Sequence, residues 1–133
     1  PHPAVVRAAA QRLREAGWRR GDAVVLAAAG SSDPRAGTDV CLAARRLTAL
    51  VGRRVRVGFL AAGTPRLSDL VGGLRAVGER RVAMASWLLS PGVFHRTALA
   101  CGADVVADPL GAHPAVVGRL AALARVGGLA RSA

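Results

Sequence analysis

Lysine and tyrosine are absent from this chain, and its 133 residues include only two tryptophans and two phenylalanines. A protein that grips single-stranded nucleic acid interleaves its cations with stacking rings. Nucleic acid is therefore disfavoured as a partner, despite a formal charge of +11. The nineteen basic residues are all arginine and lie scattered, as in Arg45/Arg46, Arg53/Arg54 and Arg80/Arg81, rather than in one run. With alanine, glycine and valine so abundant, this pattern reads as a compositional bias more than as a polyanion-binding tract.

Long hydrophobic runs are missing too. The longest, Ala23 to Ala29, has seven residues, against the roughly 20 that a bilayer helix needs, so no membrane partner is expected. No secretory signal opens the chain, and with proline rather than methionine as its first residue the sequence is expected to be a fragment of something longer. Cysteine is scarce. Cys41 and Cys101 each lie in an apolar pattern, without a C-x-x-C pair or a histidine at zinc-finger spacing. They read as small buried residues of a cytoplasmic protein.

What is present is apolar and evenly spread: 52% hydrophobic against 20% charged. That excludes low-complexity disorder and suits one compact domain. Val5, Ala9, Leu13 and Ala16 recur at helical spacing, and Gly17 stops them. Asp22 to Ala29 is a strand, ending at Gly30-Ser-Ser-Asp-Pro34, where Asp33 is a helix cap and Pro34 opens the first turn. Val40, Ala44, Leu47 and Val51 mark the next helix. Val55–Leu60 is a second strand, and Pro65 opens a helix on Leu67, Leu70, Leu74 and Val77. Arg80–Leu89 is a third strand, Pro91-Gly92 a turn, and Phe94–Cys101 a short helix. Ala103–Ala107 is a fourth strand, and Pro114 opens a last helix on Val116, Leu120 and Leu123.

Strands that alternate with helices and read as unbroken apolar runs belong to a parallel sheet covered on both faces. The expected fold is a three-layer α/β/α sandwich with a four-stranded parallel sheet, flavodoxin-like in plan. Ligands of such sheets bind at the carboxyl ends of the strands, which places any chemistry in Gly30–Pro34, Ala61–Pro65 and Ser90–Arg96.

His2-Pro-Ala-Val-Val6 recurs as His113-Pro-Ala-Val-Val117, each copy heading an amphipathic stretch. A tandem duplication explains this most simply. Residues 1–17 are then the last helix of a preceding, similar repeat, and residues 18–133 form one α/β domain.

Gly30-Ser31-Ser32, between a strand and a helix N-terminus, suits an anion: close backbone approach, hydroxyl donors and a favourable dipole. Neither G-x-x-x-x-G-K-[ST] nor G-x-G-x-x-G occurs. Of the three histidines, His2 and His113 precede prolines at helix starts and read as caps. His95 stands at the sheet's ligand edge beside Arg96, and imidazole is a usual ligand of divalent first-row metals.

Leu26–Pro34 (LAAAGSSDP), Val57–Leu60 (VGFL), Thr64–Leu67 (TPRL), Ala85–His95 (ASWLLSPGVFH) and Pro109–Pro114 (PLGAHP) together resemble the sirohydrochlorin chelatase family. These are class II chelatases of cobalamin and siroheme synthesis, and the likeness runs in register from about residue 22 to 120. It implies a chelatase-like fold and insertion of Co²⁺ or Fe²⁺, as substrate metal, into sirohydrochlorin, with no permanently bound cofactor. Against the family pattern the chain shows three departures and one displacement. Where the family's first loop carries a metal-binding histidine this chain has Ala29, with Ser32 in place of an arginine. Ala61 replaces the usual acidic residue, and the histidine expected at Phe94 stands one step later, at His95.

The resemblance makes this the C-terminal half of a two-repeat chelatase, depleted in catalytic residues. It would act with an N-terminal homologous repeat or as a homodimer. His95 is the candidate catalytic and metal-binding residue. Gly30, Ser31, Ser32, Arg35, Arg66, Gly92 and Arg96 are the candidate contacts to substrate carboxylates. Two other readings stand beside it: a non-catalytic structural half, and a flavodoxin-like anion or phosphate binder using Gly30–Ser32.

Overall fold

The computed structural model describes residues 2–110. His113, the second His-Pro-Ala-Val-Val and the helix expected on Val116, Leu120 and Leu123 lie outside the described residues. The elements are α1 (Pro3–Glu15), β1 (Ala23–Ala28), α2 (Pro34–Val51), β2 (Val55–Phe59), α3 (Leu67–Ala76), β3 (Val82–Trp87), α4 (Pro91–Cys101) and β4 (Val105–Val106). The four strands form one parallel sheet in the order β2-β1-β3-β4.

That order follows from the handedness of the crossovers. β1 to β2 steps one way across the sheet, while β2 to β3 and β3 to β4 step the other way. Right-handed connections therefore put α2 on one face and α3 and α4 on the opposite face. The buried side chains divide accordingly. Val24, Leu26, Ala28, Ala83 and Ala85 pack with α1 and α2, whereas Ala23, Val25, Ala27, Val82 and Met84 pack with α3 and α4. Alternation thus persists inside β1 and β3, although nearly every residue in them is buried. β2 is different: it is an edge strand, and Arg56 on it is exposed.

α1 lies beside α2, with Val5, Val6, Ala8, Ala9, Ala10 and Leu13 buried in the same cluster as residues of β1, β3 and β4. Its start is fixed by His2, whose Nδ1 accepts the Ala4 N–H at 3.1 Å, and by Pro3 at the first helical position. α2 is opened in the same way by Asp33, which accepts from Arg35 N–H at 3.0 Å, followed by Pro34. Its apolar stripe is the expected one: Val40, Ala44, Leu47 and Val51 are all buried.

Several boundaries differ from expectation, each for a local reason. α3 begins at Leu67 rather than Pro65, because the Pro65 carbonyl accepts from Phe59 N–H and so belongs to the edge of β2. Val77 caps the end of α3 and is 79% exposed. Pro91 and Gly92 are the first turn of α4 rather than a separate turn, since proline's missing N–H is harmless there. β4 shrinks to two residues because Asp104 spends its carboxylate, not only its backbone, on β3. Cys41 is exposed and Cys101 only half-buried, correcting the expectation that both are buried. Cys41 follows Val40, about 100° further round the helix, and so falls outside the stripe.

Two polar clusters pin the amino ends of the strands. Asp22, only 6% exposed, accepts from Arg19 N–H and from Arg81 Nε, and Arg81 also donates to the Gly17 carbonyl. Asp104 accepts from Val82 N–H and from Arg75, both at 2.8 Å. Among the described residues no helix is long and apolar enough to cross a membrane.

The Val82 N–H first, and the Arg75 guanidinium second, hold the Asp104 carboxyl below the usual carboxylate range. A pKa lowered by folding stabilises the native state fully above the unfolded value, about 3.9, and that stability is lost as pH falls through the folded value. Asp104→Ala, which strands the Val82 N–H, is expected to lose about 1–2 kcal/mol at neutral pH. Urea unfolding across a pH series should show the gap to the wild type narrowing below about pH 4.

Candidate functional site

The chain reverses its direction of travel across the sheet between β1 and β3, and this is where open α/β sheets form a crevice at the carboxyl ends of their strands. A cleft of about 1400 Å³ lies there, bounded by the ends of β1, β2 and β3 and by the first turns of α1 and α2. Its volume exceeds the roughly 300–1,000 Å³ of pockets for drug-sized ligands.

The floor is built from backbone. β1 and β2 continue their ladder past the strands: Leu60 N–H donates to the Ala28 carbonyl and Ala61 N–H to that of Ala29, each at 2.9 Å. The first and second loops then meet at Gly30, whose φ is +89°. A Cβ there would sit 1.6 Å from the Ala62 carbonyl oxygen, so glycine is required by both conformation and space. The Ser31 hydroxyl accepts from Asp33 N–H at 3.0 Å, which shapes the turn into α2 and leaves the hydroxyl proton to donate outward.

The walls combine apolar and cationic groups. Phe59, Trp87 and Leu88 supply flat or bulky surface, and Arg45 and Arg46 of α2 supply positive charge. Leu88 is 67% exposed and adopts a left-handed backbone, φ 57°, a conformation that costs a side-chain-bearing residue roughly 1–2 kcal/mol. The helix N-termini of α1 and α2 both face the cleft, and neither first turn carries an acidic residue. Their dipoles reinforce its preference for anions.

The residues expected at the site separate into groups. Gly30, Ser31 and Ser32 line the cleft. Arg35 is exposed in the first turn of α2, where its backbone N–H meets Asp33, and it does not line the cleft. Arg66 is turned to the second loop itself, donating to the Leu60 carbonyl at 3.1 Å. Gly92, His95 and Arg96 form a separate exposed group on the first turns of α4. The Arg96 guanidinium lies over Gly92, and the His95 ring centroid is 6.1 Å from that of Phe94. None of the three lines the cleft. Among the described residues no three His, Cys, Asp or Glu side chains come together as a metal-holding group. The residues the sequence did not single out are His2, Phe59, Trp87, Leu88, Arg45 and Arg46. Only position could have marked them: Trp87 and Leu88 end a strand, and His2 heads a helix.

A glycine-turned crevice at the strand ends, with cationic and aromatic walls, belongs to an α/β domain of the doubly wound class. A family model, CbiX, matches residues 23–125, and the chain belongs to the CbiX family, in agreement with its likeness to the sirohydrochlorin chelatases. Two solved structures are similar. "SirB from Bacillus subtilis with Fe3+" superposes with a TM-score of 0.73 at 26% identity, over 86% of this chain and 50% of that one. A protein from Marinobacter aquaeolei VT8, described as a cobalamin (vitamin B12) biosynthesis CbiX protein, gives 0.57 at 20% identity over 83% of this chain and 98% of that one. The second likeness speaks to the fold alone. The chain therefore spans half the length of the SirB chain. No curated protein matches it.

Gly30→Ala is expected to lose more than 2 kcal/mol, combining the left-handed penalty with a backbone collision. Gly72→Ala, in mid-helix on α3 with open space around it, should instead gain about 0.5–1 kcal/mol. Parallel urea titrations of the two variants test the contrast; equal effects would contradict the backbone lock.

Proposed function

We propose that this domain binds a carboxylate-rich tetrapyrrole, sirohydrochlorin, as one half of a chelatase that inserts Co²⁺ or Fe²⁺. The observation that carries the reading is the cleft at the β1/β3 reversal, with an apolar wall for a macrocycle and arginines at its edge for carboxylates. Membership of the CbiX family and the superposition on SirB support it. So does the span of half the SirB chain, which suits a protein built from two such repeats. In this reading residues 1–17 close the preceding repeat and residues 18–133 form this one, with a homologous repeat or a second copy completing the enzyme.

Metal insertion asks for a ligand that delivers the ion and a base that takes two pyrrole protons. His95, on the first turns of α4 and outside the lining of the cleft, is the residue proposed for both tasks. Gly30, Ser31 and Ser32, which line the cleft, and Arg35, Arg66, Gly92 and Arg96, which stand outside its lining, are the proposed contacts to substrate carboxylates. An ion held by one imidazole keeps most of its water, and among the described residues His95 belongs to no group of three or more His, Cys, Asp or Glu side chains. A structural half that shapes the cleft for its partner is the second reading, and that lack of a ligand cluster is what favours it.

The isolated chain is accordingly expected to bind sirohydrochlorin and to insert Co²⁺ at least ~10²-fold more slowly than a complete chelatase, the usual scale for losing a general base. Absorbance titration followed by a stopped assay for the metallated product measures both. Ala29→His should raise Co²⁺ affinity, because Ala29 is exposed and lines the cleft. Rapid insertion by the unmodified chain would overturn the half-enzyme reading, and binding of FMN in preference to the tetrapyrrole would favour a flavodoxin-like binder.

A further inference from the structure

We propose that His2, which heads α1, is a substrate-binding residue of the cleft and holds a ligand carboxylate through Nε2–H. The assignment rests on the reading of the cleft as a tetrapyrrole site. His2 is an exposed residue and lines the cleft together with Ala29, Gly30 and Ser31. The first loop offers no imidazole at this end of the cleft; α1 brings one there from outside the strand-loop-helix units.

The hydrogen bond at the other ring nitrogen decides what this imidazole can do. His2 Nδ1 accepts the Ala4 N–H at 3.1 Å. A neutral imidazole has one protonated and one bare nitrogen, so with Nδ1 accepting, the ring proton resides on Nε2. An Nε2 that carries a proton has no lone pair for a metal ion. Ligation would require the tautomer to switch, which would set Nδ1–H against Ala4 N–H and uncap α1. His2 is therefore a donor in the cleft, and its partner is an acceptor.

A carboxylate is the acceptor that the cleft favours. An N–H donor bound to an ionised oxygen forms a shorter and stronger bond than one between neutral groups. No acidic residue stands in the first turn of α1 to compete. Of the two aspartates that line the cleft, Asp33 is engaged as the cap of α2, accepting from Arg35 N–H; the other is Asp39. His95, by contrast, stands on α4 and does not line the cleft.

The capping role and the donor role separate by mutation. Serine caps a helix as well as the native residue does but is too short to present a donor in the cleft. His2→Ser in the full chain is expected to keep its unfolding midpoint and to bind a metal-free porphyrin octacarboxylate about ten- to a hundredfold more weakly than the wild type, the range of a lost bond to a charged group. The octamethyl ester of the same porphyrin should not distinguish the two proteins. Nitrogen-15 spectra of the imidazoles should show His2 as the Nε2–H tautomer, with that N–H shifting on addition of the octacarboxylate. Equal octacarboxylate affinities in His2→Ser and wild type, or an Nδ1–H tautomer, would overturn the assignment. A wild type that fails to bind the octacarboxylate at all would overturn the reading of the cleft, and this one with it.

Discussion

β1 has hydrogen-bonded neighbours on both edges and helices on both faces, so all six residues from Ala23 to Ala28 are sealed from water. A strand so enclosed must be apolar throughout and must have every backbone group paired. It is also the point from which the chain first steps to β2 and later returns past itself to β3. The crevice opens where those two steps diverge, so one buried strand dictates both the core and the position of the cleft. Helix directions follow as well: α2 and α1 run back along the sheet and turn their N-termini towards the same end.

The fold was legible because its signals are dense and mutually consistent. Apolar runs of strand length, proline at the first helical turn and an aspartate cap before Pro34 each name an element, and every strand and helix so read within residues 2–110 is present. Boundaries were less legible where side chains do the work of backbone. Asp104 takes the Val82 N–H and shortens β4, and Pro65 lends its carbonyl to β2 instead of starting a helix. Neither contact leaves a trace in hydropathy. Cys41 was misplaced for a related reason: one residue's shift along a helix is a turn of about 100°, enough to move a small apolar residue out of the core.

The cleft was legible only in part. Gly30, Ser31 and Ser32 announce themselves by composition, and they line it. Phe59 and Trp87 sit at strand ends, where an aromatic reads as core, and the pairing of three strand ends is what brings them to one cavity. The arginines mislead in the opposite direction. In a chain with a charge of +11 proximity to a loop in sequence says little, and Arg66 and Arg81 are committed to carbonyls and carboxylates of the fold itself. Electrostatic attraction of a polyanion needs no such selection, since the excess positive charge acts on the whole molecule.

The first loop divides its duties between neighbouring residues in a way that bears on how such domains diversify. Ala29 is held by its carbonyl and Gly30 by its packing against Ala62, while the Ala29 side chain lies in the open. The backbone course there does not depend on what residue 29 carries. A lineage can exchange imidazole for methyl at that position, or restore it, while the fold stays as stable as before; selection on folding is blind to the change. In a gene carrying two copies of such a domain, one copy can drift out of chemistry at this position while keeping its shape intact.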